Sequence, residues 1–356
     1  MESWAQPEFR TALKAHLASY AKPDGRRAAL ELTLTLAAYA GFLALTATCL
    51  RRLSHAATAP SQLGWLAASV AAGLGLGLLQ VRAFLVHHDL CHGSLFASRR
   101  LNALLAPVFG TLVSTSSSVW KREHDRHHRD SNNLDRPQDG QTAPWTVAQY
   151  EGAKGWQRWA YWLLNQPPVL FGLVPPLYFL GFMRAAARWY ENLLFAAFAA
   201  LLWRTGTLLA FAVVLTPATI FGFLVFHAQH TNRPGGPSLV RRHAADYDFF
   251  ENGLKGSTLL VMPRVPGLSW FIDWCMDGVE YHHVHHLHPA MPAWRQKACH
   301  QAGAAFFTET PRLTLGEAVK ATRLTLYDET AGRLVGFDGH PPWRRGAPVA
   351  SPRTDA

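Results

Sequence analysis

LGWLAASVAAGLGLGLLQVRAFLVHHDLCH, Leu63 to His92, decides the fold: a run of apolar and small residues, long enough to cross about 30 Å of hydrocarbon, ends directly in a histidine cluster. Its apolar residues are bunched without a break rather than set at amphipathic spacing, which points to a bilayer. His88 and His92 stand four residues apart, so on a helix both rings leave the same face one turn from each other.

Three further clusters follow: His124-Asp125-Arg126-His127-His128, His227-Ala228-Gln229-His230 and His282-His283-Val284-His285-His286. Spacings of three and four again let imidazoles converge on a metal. Nine histidines are well placed as ligands: His88, His92, His124, His127, His128, His230, His282, His285 and His286; His227, one turn before His230, is a further candidate. One metal ion takes three or four protein ligands, so nine imply two ions with open coordination positions. Imidazole suits iron, zinc, copper or nickel, and the ligand type alone does not name the metal. His87, His283 and His288 read as supporting or packing groups. Asp89, Asp125 and Asp273 are candidates to accept the distal N–H of a ligating ring, with a solvated surface acid as the competing reading.

Of the 356 residues 49% are hydrophobic, and the net charge is +10. In a membrane protein that excess reflects Lys and Arg held in cytosolic loops against anionic lipid. No nucleic-acid motif accompanies the arginines, so a nucleic-acid partner is not expected. Cys49, Cys91, Cys275 and Cys299 are isolated and read as small apolar packers. Residues 1–27 are too polar for a cleavable signal and are expected to form a cytosolic or interfacial segment, with Pro7–Tyr20 lying on the membrane surface. Trp120, Trp145, Trp156 and Trp159 read as interfacial anchors. Arg99, Arg100, Lys121 and Arg122 fit either a dock for an acidic electron carrier or plain positive-inside topology.

Ala28–Leu50 and Leu63–Val86 form a membrane hairpin. Clusters sharing one site must lie on one side of the bilayer, so Leu101–Val119, with Pro107 and Ser114–Ser118, is expected to be re-entrant or interfacial. Of the three apolar segments before His227, Pro167–Met183, Leu193–Trp203 and Thr207–Phe226, an even number must cross; with Arg184 and Arg188 both cytosolic, Pro167–Met183 with its four prolines is expected to dip in without crossing, leaving roughly Ala187–Trp203 and Thr207–Phe226 as crossings around a turn at Arg204–Gly206. The fold class is therefore all-α integral membrane: about four transmembrane helices, re-entrant or interfacial helices, and a cytosolic helical cap over the histidine site. Residues 28–320 form this membrane domain with its cap; 321–356 read as a largely disordered tail, the stretch from Gly339 having too few apolar residues to pack. Arg10, Lys14, Lys22, Arg26 and Arg27 put the N-terminus and the site on the cytosolic side.

The boxes resemble those of the integral-membrane fatty acid desaturase family, bacterial acyl desaturases of the delta-12 (omega-6-like) type above all. His88-Asp-x-x-His92 before Gly93-Ser94-Leu95-Phe96 is similar to the first box. His124-x-x-His127-His128 before Asn132-Asn133 is similar to the second, and Gln229-His230 to an extra ligand. Gly256-Ser257, then Tyr281-His282-His283-Val284-His285-His286-Leu287 with Pro289 and Pro292, resembles the third. The resemblance covers about Leu63 to Arg312; the departure is Ala228–Asn232, where acidic residues often follow the histidine. It implies two iron ions, O₂ as co-substrate, electrons from a separate donor such as a ferredoxin, flavodoxin or cytochrome, and a lipid-linked acyl chain. The setting it implies is the cell inner membrane if the chain is bacterial. A hydroxylase or ketolase acting on carotenoid or lipid chains would use the same boxes. A metal transporter is the remaining reading, but its site would lie near the bilayer midplane, not at span ends.

Overall fold

Helix caps set the first elements of the computed structural model, which describes residues 3–136, 144–236 and 238–344. Pro7 occupies the first position of α1 (Pro7–Tyr20), and the Asp24 carboxylate accepts from the Arg27 N–H to open α2 (Gly25–Ser54). The quoted run lies in α3 (Ala59–His92), which stops at Gly93 with φ 72°, a left-handed conformation that suits glycine. α2 and α3 pair along their length.

α4 (Arg99–Leu112) and α5 (Ser117–Asp130) meet at 102°. At their bend the Thr115 N–H donates to the Gly110 carbonyl (2.8 Å), and a Cβ on Gly110 would come within 2.5 Å of the Thr115 carbonyl. The rings of His92, just before α4, and His128, near the end of α5, have centroids 5.0 Å apart. The pair thus leaves the site and returns to it, as the re-entrant reading requires.

α6 (Val147–Gly152) and α7 (Gly155–Leu164) lead to α8 (Pro168–Ala186), α9 (Trp189–Arg204) and α10 (Leu208–Gln229). Here the structure departs from the expected crossings. Among the described residues, four helices are long and apolar enough to span a membrane: α2, α3, α8 and α10. α9 has 16 residues. At a rise of about 1.5 Å each, a helix of that length reaches only about 24 Å of the roughly 30 Å needed. Phe171 near the start of α8 meets His227 beside the site (ring centroids 5.5 Å), whereas Gly206 after α9 accepts from Arg51 at the far end of α2 (3.3 Å). α8 and α9 therefore share one descent and α10 makes the return, so Pro167–Met183 is part of a crossing and Ala187–Trp203 is not a whole one. The prolines misled because they sit among π-type turns, Pro168–Leu173 and Leu177–Phe182 flanking Pro175-Pro176, where the wider winding tolerates a missing N–H.

The cap comprises α11 (Phe249–Lys255), α12 (Ser269–Met276), α13 (His282–Leu287), α14 (Ala293–Ala302) and α15 (Leu315–Ala321), with β1 (Leu259–Val261) parallel to β2 (Arg312–Thr314) and Leu260 opposite Leu313. α1 belongs to it: Leu13 and Leu17 are buried with Leu254, Val284 and Cys299, and Arg10 pairs with Asp248 at 2.8 Å. The stripe expected to rest on lipid faces the cap instead. The expectation of a largely disordered 321–356 also needs correction. β3 (Leu326–Asp328) and β4 (Arg333–Val335) form an antiparallel hairpin with Leu326 and Leu334 buried, and the Tyr327 N–H donates to the Trp145 carbonyl (2.9 Å). The hairpin packs through partners more than a hundred residues away, which local composition cannot reveal. Residues 345–356 of the expected tail lie outside the described residues.

Beneath the site, Arg82 is fully buried in α3 and ties three elements together. Its guanidinium pairs with Glu31 of α2 (2.6 Å), donates to Thr35 Oγ1 (2.9 Å) and to the Trp274 carbonyl of α12, and stacks over the Trp274 ring at 4.0 Å. An ion pair at this depth is stable only because every charged face has a partner.

Candidate metal centre

Each histidine is delivered by a helix end or a short helix, and in α5 polar contacts fix the start. α5 opens on Ser116, whose hydroxyl accepts from the Val119 N–H, while Glu191 of α9 accepts from the Ser118 N–H (2.9 Å), the Ser118 hydroxyl (2.5 Å) and the Ser116 hydroxyl (2.8 Å). A carboxylate at a helix N-terminus meets free N–H groups and the positive end of the dipole. That anchor sets the pitch at which His124, His127 and His128 emerge. At the other end of α5, Asn132 (φ 62°) donates to Asn252 Oδ1 (2.7 Å) and the Gly256 carbonyl (2.8 Å), stitching the second box to α11.

The ring nitrogens gather in two groups. In one, His88, His92, His124 and His285 bring their nitrogens within 4.8 Å of one another; in the other, His127, His230, His282 and His286 do the same. His128 lies between them, its Nε2 3.0 Å from His124 Nε2 and its ring centroid 4.5 Å from that of His285 and 4.7 Å from that of His286. All nine histidines singled out by spacing thus meet in one place, from four segments separated by up to about two hundred residues. His227 does not: its Nε2 faces the Ala321 carbonyl at 3.3 Å.

The arrangement suits cations rather than a hydrogen-bonded histidine core. His282 Nε2 lies 2.9 Å from His230 Nε2 and 3.0 Å from His286 Nε2, so three lone-pair positions crowd one point where a single proton could serve only one contact. His92 Nε2 is buried with no hydrogen-bond partner among the described residues. Burial first, then the neighbouring imidazoles, holds the pKa of His230, His282, His285 and His286 well below the ordinary value, leaving them neutral with lone pairs available. A positive ion at each focus would satisfy these nitrogens together.

Asp89 supports the first box from behind. One carboxylate oxygen lies 3.0 Å from His88 Nδ1 and the other accepts from the Ala293 N–H (2.7 Å) at the start of α14, so a single side chain orients a ring and pins the cap. Asp125 instead pairs with Lys121 (2.8 Å), and Asp273 with Arg264 (2.9 Å); both are partly exposed ion pairs and touch no ring of the site. Sequence reasoning missed Glu191, Arg82 and Glu31; the available signal was their charge within or beside apolar runs.

A cavity of about 670 Å³ opens on the two groups, lined by His88, His124, His127, His230, His282 and His285 at one end and by apolar side chains of α3, α8 and α10 along its walls. Its size and mostly apolar lining suit an aliphatic ligand lying beside the two histidine groups.

The model of a family described as fatty acid desaturase matches residues 63–314. A fatty acid desaturase of Bacillus subtilis is 27% identical over 340 residues, covering 91% of this chain and 90% of the relative. Fatty acid desaturase 3 of Bos taurus is 27% identical over 64% of this chain, which spans 53% of that longer protein. A beta-carotene ketolase of Paracoccus is 26% identical over 64% of this chain and 77% of its own.

Proposed function

The chain belongs to the fatty acid desaturase family, and from that premise we propose that it is an O₂-dependent oxidoreductase that introduces a double bond into a saturated segment of a lipid-linked acyl chain. The observation that carries this reading is the convergence of two four-histidine groups at the head of an apolar cavity. In the overall reaction a –CH₂–CH₂– unit, O₂, two electrons and two protons become –CH=CH– and two waters. We assign His88, His92, His124 and His285 to one iron and His127, His230, His282 and His286 to the other, with His128 between. Bound there, the two irons would supply the O₂ activation and oxidising power that side chains lack.

The protein's own part is placement and exclusion. Neutral, buried imidazoles hold the cations without carrying competing protons into the site. Val81, Phe84, Leu85, Leu215, Phe223 and Phe226 surround a chain with dry walls and fix which carbons lie beside the metals. An aliphatic chain offers no polar handle at the target carbon, so register must come from the cavity's length and ends. Electrons would arrive from a separate donor such as a ferredoxin, flavodoxin or cytochrome, and the site would face the cytosol, given the basic N-terminal flank.

The relative described as a beta-carotene ketolase keeps a second reading open: oxygen insertion into a carotenoid or lipid chain at the same centre. Expression in a host lacking desaturases, with lipid mass spectrometry, separates them. Loss of two hydrogens from an acyl chain supports desaturation; gain of oxygen without it contradicts it.

A further inference from the structure

Gly222 stands in the middle of the cavity wall on α10, where no packing contact asks for a glycine. The lining residues Leu215, Ala218, Gly222, Phe226 and Gln229 recur every three or four positions, so they share one helix face. From Leu215 to Gln229, which adjoins His230, that face runs about 21 Å at about 1.5 Å per residue, and Gly222 lies halfway, about 10 Å from either end. A Cβ on Gly222 would meet nothing within 4 Å. Because the face points into the cavity, that open space is the cavity itself. Gly75 and Gly253, by contrast, are held by packing, since a Cβ would strike the Phe42 ring at the first and the Leu287 side chain at the second. Glycine weakens a helix interior relative to alanine, so its presence at a position free of contacts needs another reason. Beyond it, away from the histidines, the α10 face carries Ala218 and Leu215, and the flanking Thr219 hydroxyl donates to the Thr216 carbonyl (2.8 Å). What that stretch offers a ligand is mainly apolar surface.

We propose that Gly222 is a specificity residue: by lacking a side chain it lets an acyl chain run past it toward Leu215, so that the protein accepts long chains whose methyl end lies beyond Gly222. Gly222→Leu fills the passage and stops a chain about 10 Å from the histidine end of α10, roughly half the depth otherwise open. A chain short enough to end before that point loses nothing by the change. A longer one must fold back or leave methylenes outside the cavity. Apolar walls give an aliphatic chain no polar handle, so the room they leave decides which lengths fit. The proposal rests on the reading of this cavity as the lipid-chain site and holds whichever oxidation occurs at the metals.

Purified full-length protein in nanodiscs is titrated with saturated lysophosphatidylcholines from decanoyl to arachidoyl, and binding is read by native mass spectrometry. Relative to wild type, Gly222→Leu weakens the longest chains against the shortest by at least about tenfold, the discrimination that one misfitting methylene can give in an apolar pocket. A stearoyl probe with a diazirine at its methyl end labels the peptide holding Leu215 and Ala218 in the wild type and spares it in Gly222→Leu. Retained binding of the shortest chain shows that the variant is folded, and Gly222→Met repeats both measurements should Gly222→Leu fail to fold. A length profile shared by wild type and variants overturns the proposal, as does wild-type labelling confined to other segments. Because binding and labelling are read without turnover, a product with inserted oxygen would count against desaturation and leave the length selection standing. Failure to bind any chain removes both readings.

Discussion

Replacing Arg82 with methionine tests the buried charge cluster in which Arg82 pairs with Glu31 and, at 3.5 Å, with Asp277. The substitution keeps a long flexible side chain but removes the partner of Glu31 (2.6 Å), the donor to Thr35 (2.9 Å) and the ring contact with Trp274 (4.0 Å). Breaking a buried pair by deleting one partner costs about 3–5 kcal/mol, chiefly because the other charge is left behind. Glu31 retains the Trp274 indole N–H (3.2 Å) and Arg27 (3.5 Å), and its side chain is 13% exposed. The lower end, about 3 kcal/mol, is therefore expected. Unfolding in detergent followed by tryptophan fluorescence measures it. The double variant Arg82→Met with Glu31→Gln removes the stranded charge and should recover about 1–2 kcal/mol of the loss, a departure from additivity that marks the two as one unit. Arg82→Met within about 0.5 kcal/mol of wild type, or strictly additive losses, would show that the pair contributes no more than an exposed one does and refute the reasoning.

Three further outcomes follow from the site. His128→Ala should abolish the product while His227→Ala retains most of it, since only the first ring stands between the two groups; lipid profiling of both variants decides, and equal loss would count against the assignment. Asp89→Asn should weaken iron retention about 10–100-fold in chelator competition, because the group orienting His88 and holding the Ala293 N–H is altered, and unchanged retention would remove Asp89 from that role. Burial pushes the Asp277 carboxyl up to about 7, so the folded protein keeps a proton that the unfolded chain, with a carboxyl near about 3.9, gives up. Its contribution to stability is fully present below about pH 4 and is lost as the pH rises through about 7. Wild-type thermal midpoints should thus fall more steeply over that window than those of Asp277→Asn; parallel curves would sink the prediction.

Much of this was legible in the chain itself. Apolar runs ending in histidines at spacings of three and four disclosed both the membrane helices and the groups that meet above them, because a single turn of helix carries that information. What escaped depends on distant partners or unusual winding. Pro175 and Pro176 read as breakers, yet π-type turns carry them within α8. Leu13 and Leu17 gave α1 an apolar stripe without saying whether lipid or the cap would cover it, and Leu326 and Leu334 lay in a tail too polar to suggest a hairpin. Arg82 was visible as a charge inside an apolar run; only Glu31 and Trp274 give it meaning.

Metal content per purified chain bears most directly on the account, measured by plasma mass spectrometry on protein expressed with ample iron. Wild type should carry about two irons, and His124→Ala or His282→Ala fewer, with membrane insertion unchanged. A chain that holds no iron, or holds it undiminished after both substitutions, would contradict the claim that these histidines converge to bind a pair of ions.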